Sequence, residues 1–303
     1  MNNYIGIDIG GTSIKYGVIR EDGEILCRYE RKTEAYKGGA SILTKAVEIV
    51  QKLAVTYKIS GICISTAGMV DTEKGEIFYS APLIPDYAGT NFKETMESRF
   101  GIPCEVENDV NCAGLAEVVS GAARGSNIAV MLTVGTGIGG CILLDGKVFR
   151  GFSNSACEVG YMHMDDSDFQ TLGAASILAK KVAGWKHVPE KEWNGHRIFE
   201  AAKRGDGICI QAIDEMTDVL GKGIANICYV MNPEVVVLGG GIMAQEKFLR
   251  SRIEHALEKY LVQSIAVNTR IAFAKHKNDA GSVLSFSEMP SRKIRNKKSW
   301  NIM

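Results

Sequence analysis

The residues most able to do chemistry lie in a handful of short stretches. Asp8 to Lys15 reads DIGGTSIK. Gly10 and Gly11 let the backbone approach a ligand closely, with amides able to point at phosphate oxygens. Thr12 adds a hydroxyl donor and Lys15 a mobile positive charge. Asp8, at the end of a strand, is suited to hold Mg²⁺ directly or through water. The same letters also suit an ordinary Gly-Gly hairpin turn.

Gly135 to Gly140 reads GTGIGG and satisfies G-x-G-x-x-G by letter. A dinucleotide site needs a helix opening at that turn and an acidic residue about 20 positions on. CILLDGKVF follows instead, which reads as strand and hairpin. A second phosphate-facing hairpin with Thr136 and Gly137 at its tip fits better. In VLGGGIMAQ a buried strand runs into Gly239, Gly240 and Gly241. This is either a tight strand-to-helix connection or a flat surface for a base or ribose. In VENDVNC, Asn108 and Asp109 sit between strand and helix. A carboxylate there can face a cleft at a helix N-terminus, where anions are stabilised, or the two can be a plain capping pair. ACEVGYMHM, Ala156 to Met164, gathers Cys157, Glu158, Tyr161 and His163 and has the letters of a metal or catalytic site.

Behind these stretches lies a recurrent order of elements. Tyr4–Ile9 and Ile14–Ile19 are strands about a glycine turn, and Asp22-Gly23 turns the chain again. Ile42, Ala46, Ile49 and Leu53 are spaced for a helix ending near Tyr57. Strands follow at 59–65 and 103–107, with a short helix at 92–100 between them. Asn108 is placed to cap a helix running to about Ser120. Strand, glycine turn, strand and Asp-Gly turn then recur at 128–146, which predicts two related halves. A long helix over about 211–231, a strand at 234–238, a helix at 245–261 and a last strand near 265–273 complete the pattern. NDAGSVLSFSEM reads as a final helix and SRKIRNKKSWNIM as a solvated basic tail.

Composition narrows the class. The chain has 303 residues, 46% hydrophobic and 23% charged, as a globular protein has. Acidic and basic side chains balance at 35 each, so nothing in the composition resembles the positive field of a general nucleic-acid binder. No apolar run is long enough for a membrane span. The start MNNYIGIDIGG lacks the basic-then-apolar order of a signal peptide. None of the eight cysteines has a CxxC partner, and most lie in apolar runs, as buried thiols of a reducing cytoplasm do.

Taken together, YIGIDIGGTSIKYGVI, ISTAGMVD, VENDVNCAGLAE, LTVGTGIGGCILLDGKVFRG, CEVGYMHM and VVLGGGI occur in the order of the ROK family of sugar kinases and repressors. The resemblance runs from about Tyr4 to Phe286. It implies an α/β, two-domain actin-like ATPase fold of the hexokinase and ribonuclease H kind, with ATP and a sugar in the cleft between the domains. It also implies a cytoplasmic protein, usually a homodimer. The expected domains are 1–120 and 121–275, with a helix over 276–290 returning to the first and a basic tail over 291–303. By resemblance, Asp8, Gly10, Gly11, Thr12 and Lys15 match the first phosphate motif and Thr136 and Gly137 the second. Gly239, Gly240 and Gly241 match the adenosine motif. Asn108 matches a sugar-hydroxyl ligand, Asp109 the general base, Gly68 the loop that meets the sugar, and Glu158 the sugar-binding glutamate. Regulators of the family carry a helix-turn-helix segment before the first strand. Only three residues precede Tyr4, so a kinase is expected rather than a repressor.

One region departs from the family pattern. Members usually read Glu-x-Gly-His, the His binding both sugar and a structural zinc, with three clustered cysteines and a second glutamate downstream. Here Tyr161 replaces that His, and MHMDDSDFQTLGAAS has no cysteine. Structural zinc needs a complete ligand set, so no structural zinc is expected. Tyr161 is a sugar-facing hydroxyl, an apolar wall or a core residue, and Gln170 stands near the place of the second glutamate. The ATP motifs are intact, so the change falls on sugar preference. Some zinc-lacking relatives phosphorylate β-glucosides. The expected acceptor is the 6-hydroxyl of glucose, free or at the non-reducing end of a β-glucoside. Glucokinase, fructokinase, N-acetylmannosamine kinase and an inactive sugar-binding regulator are the alternatives.

Overall fold

The computed structural model describes residues 1–81 and 84–276, so the expected final helix and basic tail lie outside the described residues. These residues form two compact units, one of 1–119 with 150–155, the other of 120–149 with 156–276. The segment 150–155 therefore leaves the expected continuous second domain.

In the first unit, strands β1 (Asn3–Ile9), β2 (Ser13–Arg20) and β3 (Ile25–Lys32) precede helix α1 (Gly38–Thr56) and strand β4 (Ile59–Thr66). A small hairpin, β5 (Met69–Asp71) and β6 (Glu76–Tyr79), then leads to α2 (Phe92–Phe100), β7 (Cys104–Asn108) and α3 (Asp109–Ser120). The sheet order is β3-β2-β1-β4-β7. The first three strands run antiparallel, and β4 and β7 are parallel to β1. Ile5, Ile7 and Ile9 of β1 meet Ile42, Ala46, Ile49 and Leu53 of α1 in one apolar core. The edge strand β3 was not legible in sequence. Its ILCRYERK is mostly exposed and half charged, as suits an edge that must not pair with another chain.

The second unit repeats this plan. It contains β8 (Ile128–Val134), β9 (Ile138–Leu144), β10 (Lys147–Phe149), β11 (His163–Met164), β12 (Ser167–Asp168), and helices α4 (Phe169–Gly173), α5 (Ala175–Lys186) and α6 (Gly195–Lys203). The long helix α7 (Gly207–Met231), β13 (Val235–Gly239), α8 (Glu246–Tyr260), the short α9 (Gln263–Ala266) and β14 (Arg270–Phe273) complete it. The order β10-β9-β8-β13-β14 has the same antiparallel and parallel pairings as the first sheet. This repeated five-stranded sheet is the two-domain actin-like ATPase fold. Because β9 returns directly along β8, GTGIGG is a hairpin turn. The last strand is shorter than 265–273, because residues 263–266 turn as α9.

Candidate functional site

Sheet register assembles the first unit's chemistry. One row across the strands holds Lys15, Asp8, Ser65 and Glu107, and the next holds Ile14, Ile9, Thr66 and Asn108. Both lie at the C-terminal ends of parallel strands, where open α/β sheets bind ligands. The Ser65 hydroxyl donates to Asp8 Oδ1 at 3.0 Å. The half-buried Asp8 carboxylate is a hard oxygen donor of the kind Mg²⁺ takes.

The glycine turn after β1 is tied down from below. Thr33 is fully buried; its hydroxyl donates to the Gly10 carbonyl at 2.6 Å and its amide to the Thr12 carbonyl at 3.0 Å. Lys45 donates to the Thr33 carbonyl at 2.5 Å and pairs with Glu34 at 2.7 Å. The Gly10 and Thr12 carbonyls are thereby engaged within the protein. Gly11 and Thr12 are exposed, and a Cβ added at Gly11 would meet nothing within 4 Å. That is the open cradle a phosphate group requires.

Asn108 caps α3: its Oδ1 accepts from Val110 N at 2.9 Å and Asn111 N at 3.1 Å. Its Nδ2 donates to the Gly68 carbonyl at 3.0 Å. An amide nitrogen has two hydrogens, so one N–H remains for a ligand. Gly68 has φ +98°, and an added Cβ would lie 2.8 Å from the Tyr79 carbonyl, so only glycine fits this loop. Asp109 is exposed in the first turn of α3, with Oδ1 accepting from Val110 N at 2.9 Å. The capping and functional readings are thus not exclusive. Asn108 does the capping, and Asp109 is presented at the helix N-terminus. Beneath this loop, Thr66 and Tyr87 share a buried 2.5 Å hydrogen bond.

In the second unit the tip Thr136–Gly137 is tethered in a parallel way. The Ser176 amide donates to the Gly135 carbonyl at 3.3 Å and its hydroxyl to the Thr136 carbonyl at 2.7 Å. Gln170 faces this tip: its Oε1 is 2.7 Å from a Cβ built on Gly137 and 3.0 Å from one on Gly160. Gly240 has φ +97°, and an added Cβ would lie 2.3 Å from the Val134 carbonyl. Gly239 ends β13 and Gly241 opens a 3₁₀ turn that leads to α8, not an immediate α-helix.

The stretch that began as a possible metal cluster resolves differently. Glu158 is half-buried, and burial alone raises its pKa; among the described residues its side chain has no hydrogen-bond donor. Burial, and secondarily Glu158, pushes the Cys157 thiol up to about 12, so it is no thiolate at neutral pH. His163 is exposed on β11 opposite Asp168. Among the described residues no three His, Cys, Asp or Glu gather as a metal site. Tyr161 is 44% exposed, which removes the core alternative.

The ROK family pattern matches residues 4–286. This chain belongs to the ROK family. An uncharacterised protein of Clostridium perfringens is 51% identical over 93% of this chain and 95% of its own length. A β-glucoside kinase of Listeria monocytogenes is 31% identical over 90% of this chain and 92% of its own. A ROK family protein of Streptococcus pneumoniae, solved in complex with sucrose, superposes with a TM-score of 0.83 at 28% identity, covering 98% of this chain and all of that one (100%). Among the described residues no helix of this ROK chain is long and apolar enough to cross a membrane.

Sequence reasoning singled out the candidate residues of the ROK motifs but missed those that hold them. Thr33 and Ser176 sit in stretches with no pattern of their own. Glu107 and Arg150 lie inside quoted motifs, yet their pairing depends on a fold-level encounter.

Proposed function

We propose that this protein is an ATP- and Mg²⁺-dependent sugar kinase in which Asp109 is the general base. The acceptor is the 6-hydroxyl of glucose, free or at the non-reducing end of a β-glucoside. The observation that carries the reading is the β7–α3 junction, where Asn108 is locked by three hydrogen bonds and Asp109 is exposed at the helix start. The Glu158 carboxylate in the second unit, without a hydrogen-bond donor among the described residues, supports it, because sugar hydroxyls are donors. The Listeria β-glucoside kinase and the sucrose-bound streptococcal protein support a sugar acceptor.

In this mechanism Asn108 and Glu158 orient the sugar, Asn108 through its remaining N–H and Glu158 as acceptor. Asp109 takes the hydroxyl proton as the oxygen bonds to the γ-phosphorus of ATP and the bond to the β,γ-bridging oxygen breaks, releasing ADP. Backbone amides at Gly11–Thr12 and Thr136–Gly137, with Lys15, bind the phosphates, while the Gly10 amide donates to the Ser13 carbonyl at 3.0 Å and holds the turn. Gly239–Gly241 offers a flat surface for adenosine. Asp8 would hold Mg²⁺, directly or through water, and the ion supplies charge neutralisation on the phosphates. Gln170, turned to the Gly137 tip, supports the phosphate side rather than the sugar. Tyr161, exposed beside Glu158, takes the place of the usual histidine as a hydroxyl donor or apolar wall. Family resemblance adds a cytoplasmic homodimer, which light scattering of the purified chain tests.

A coupled ADP-release assay over glucose, cellobiose, fructose, N-acetylglucosamine and N-acetylmannosamine tests the activity. Glucose or cellobiose should be turned over with a 6-phosphate product. ADP release independent of sugar, with no sugar phosphate formed, would overturn the kinase reading in favour of a sugar-binding regulator.

A further inference from the structure

Glu107 is a carboxylate with 2% of its side chain exposed, immediately before Asn108. Burying an ionised carboxylate is costly unless its lone pairs are satisfied. Here they are. Oε1 accepts from the Asn108 amide and from Asn111 Nδ2, each at 2.9 Å. Oε2 accepts from Arg150 Nε at 3.0 Å and from a terminal Arg150 nitrogen at 2.5 Å. These four donors fill the roughly four lone-pair sites of a carboxylate.

The arrangement grips the acceptor residues from below. Oε1 binds the backbone of Asn108 and the side chain of Asn111, whose own amide is capped by Asn108 Oδ1. Asp109 stands between these fixed points. Arg150 follows β10 directly, yet the segment it opens, 150–155, packs with the first unit. Its guanidinium supplies the counter-charge and the two donors that hold Glu107 Oε2 in place.

We infer that Arg150, acting through Glu107, is the positioning residue that fixes Asn108 and Asp109 for attack on the phosphoryl group. This rests on the reading of Asn108 and Asp109 as the acceptor site. Without Arg150, two lone pairs of a buried carboxylate lose their donors. Glu107 then turns toward other donors, and the β7–α3 junction shifts with it. The phosphate tips at Gly10–Thr12 and Thr136–Gly137 make no hydrogen bond to this pair. The defect should therefore appear in turnover with sugar and not in ATP binding.

Three variants of the full chain test this: Arg150→Gln, Arg150→Lys and Asp109→Asn. Melting temperature, kcat and both KM values are read for each. A misplacement of about 1 Å can cost about a hundredfold in rate, so Arg150→Gln should lower kcat by about ten- to a hundredfold. KM for ATP should stay within about twofold, a change worth less than half a kcal/mol. Arg150→Lys, which keeps the charge and one donor, should recover a large part of the loss. If Arg150→Gln folds and keeps wild-type kcat, the positioning role is wrong. Equal losses in kcat and ATP affinity, not recovered by Lys, would also overturn it, because they mark general destabilisation. Should Asp109→Asn itself retain activity, the acceptor-site reading fails first, and the Arg150 result is then an effect on folding alone.

Discussion

Thr33→Val probes the first phosphate tip with little change of shape. The substitution replaces a hydroxyl by a methyl at a fully buried position. It removes the 2.6 Å bond to the Gly10 carbonyl but keeps the backbone bond to the Thr12 carbonyl. Leaving a buried acceptor without its donor costs about 1–3 kcal/mol. Part of that cost appears as lost stability. The rest appears as looseness at the Gly10 end of the cradle, which ATP must then order on binding. At about 1.4 kcal/mol per tenfold, transfer of half to all of a 2 kcal/mol loss raises KM for ATP by about five- to thirtyfold. KM for sugar should barely move, because Thr33 makes no bond to the Gly68, Asn108 or Asp109 loop. The assay is steady-state kinetics with each substrate varied in turn, beside a thermal melt. Thr33→Ser, which retains the hydroxyl, should behave like the wild type. Unchanged ATP KM and unchanged melting in Thr33→Val would refute the idea that this hydroxyl shapes the cradle.

Other predictions bear on the second unit and on metal. Glu158 has its pKa raised by burial, so the folded chain binds more protons than the unfolded one between the ordinary carboxylate value and the raised value. Stability should fall as pH rises through that window, and Glu158→Gln should flatten this fall in a pH series of melts. Sugar KM should rise as pH drops below the raised value, since a protonated acid loses acceptor capacity, and Glu158→Gln should raise it about tenfold or more at neutral pH. Gly240→Ala should cost about 3 kcal/mol or more, from backbone strain at φ +97° and a clash 2.3 Å from the Val134 carbonyl, and should be seen as lost soluble yield. Elemental analysis of the purified chain should find no stoichiometric zinc, and a chelator should leave its melting temperature unchanged.

Much of the fold is legible in the sequence because its strands and helices carry strong periodicity. Ile42, Ala46, Ile49 and Leu53 mark α1, and Asn108 marks the start of α3 through its short polar side chain. The doubled strand–turn–strand pattern anticipates the doubled sheet. What escapes is set by tertiary context. Strand β3 is polar because it is an edge, and α9 interrupts an apolar stretch that reads as strand. The candidate residues were found by type and spacing. Their supports were not, because the Glu107–Arg150 pair spans 43 positions and Ser176 reaches back 40 to Thr136. Such encounters have no local signature. Gln170 shows the reverse case, a residue noted by loose position whose side chain turns to the Gly137 tip.

The central claim is that Asp109 takes the proton from a sugar hydroxyl. Its most direct test is single-turnover formation of sugar 6-phosphate, followed by phosphorus NMR, in the wild type and in Asp109→Asn. The account predicts a sugar phosphate from glucose or cellobiose in the wild type and a rate lower by at least about a hundredfold in the variant, the low end for a lost acid–base group. A variant that folds, binds ATP and forms the same product at near wild-type rate would contradict it.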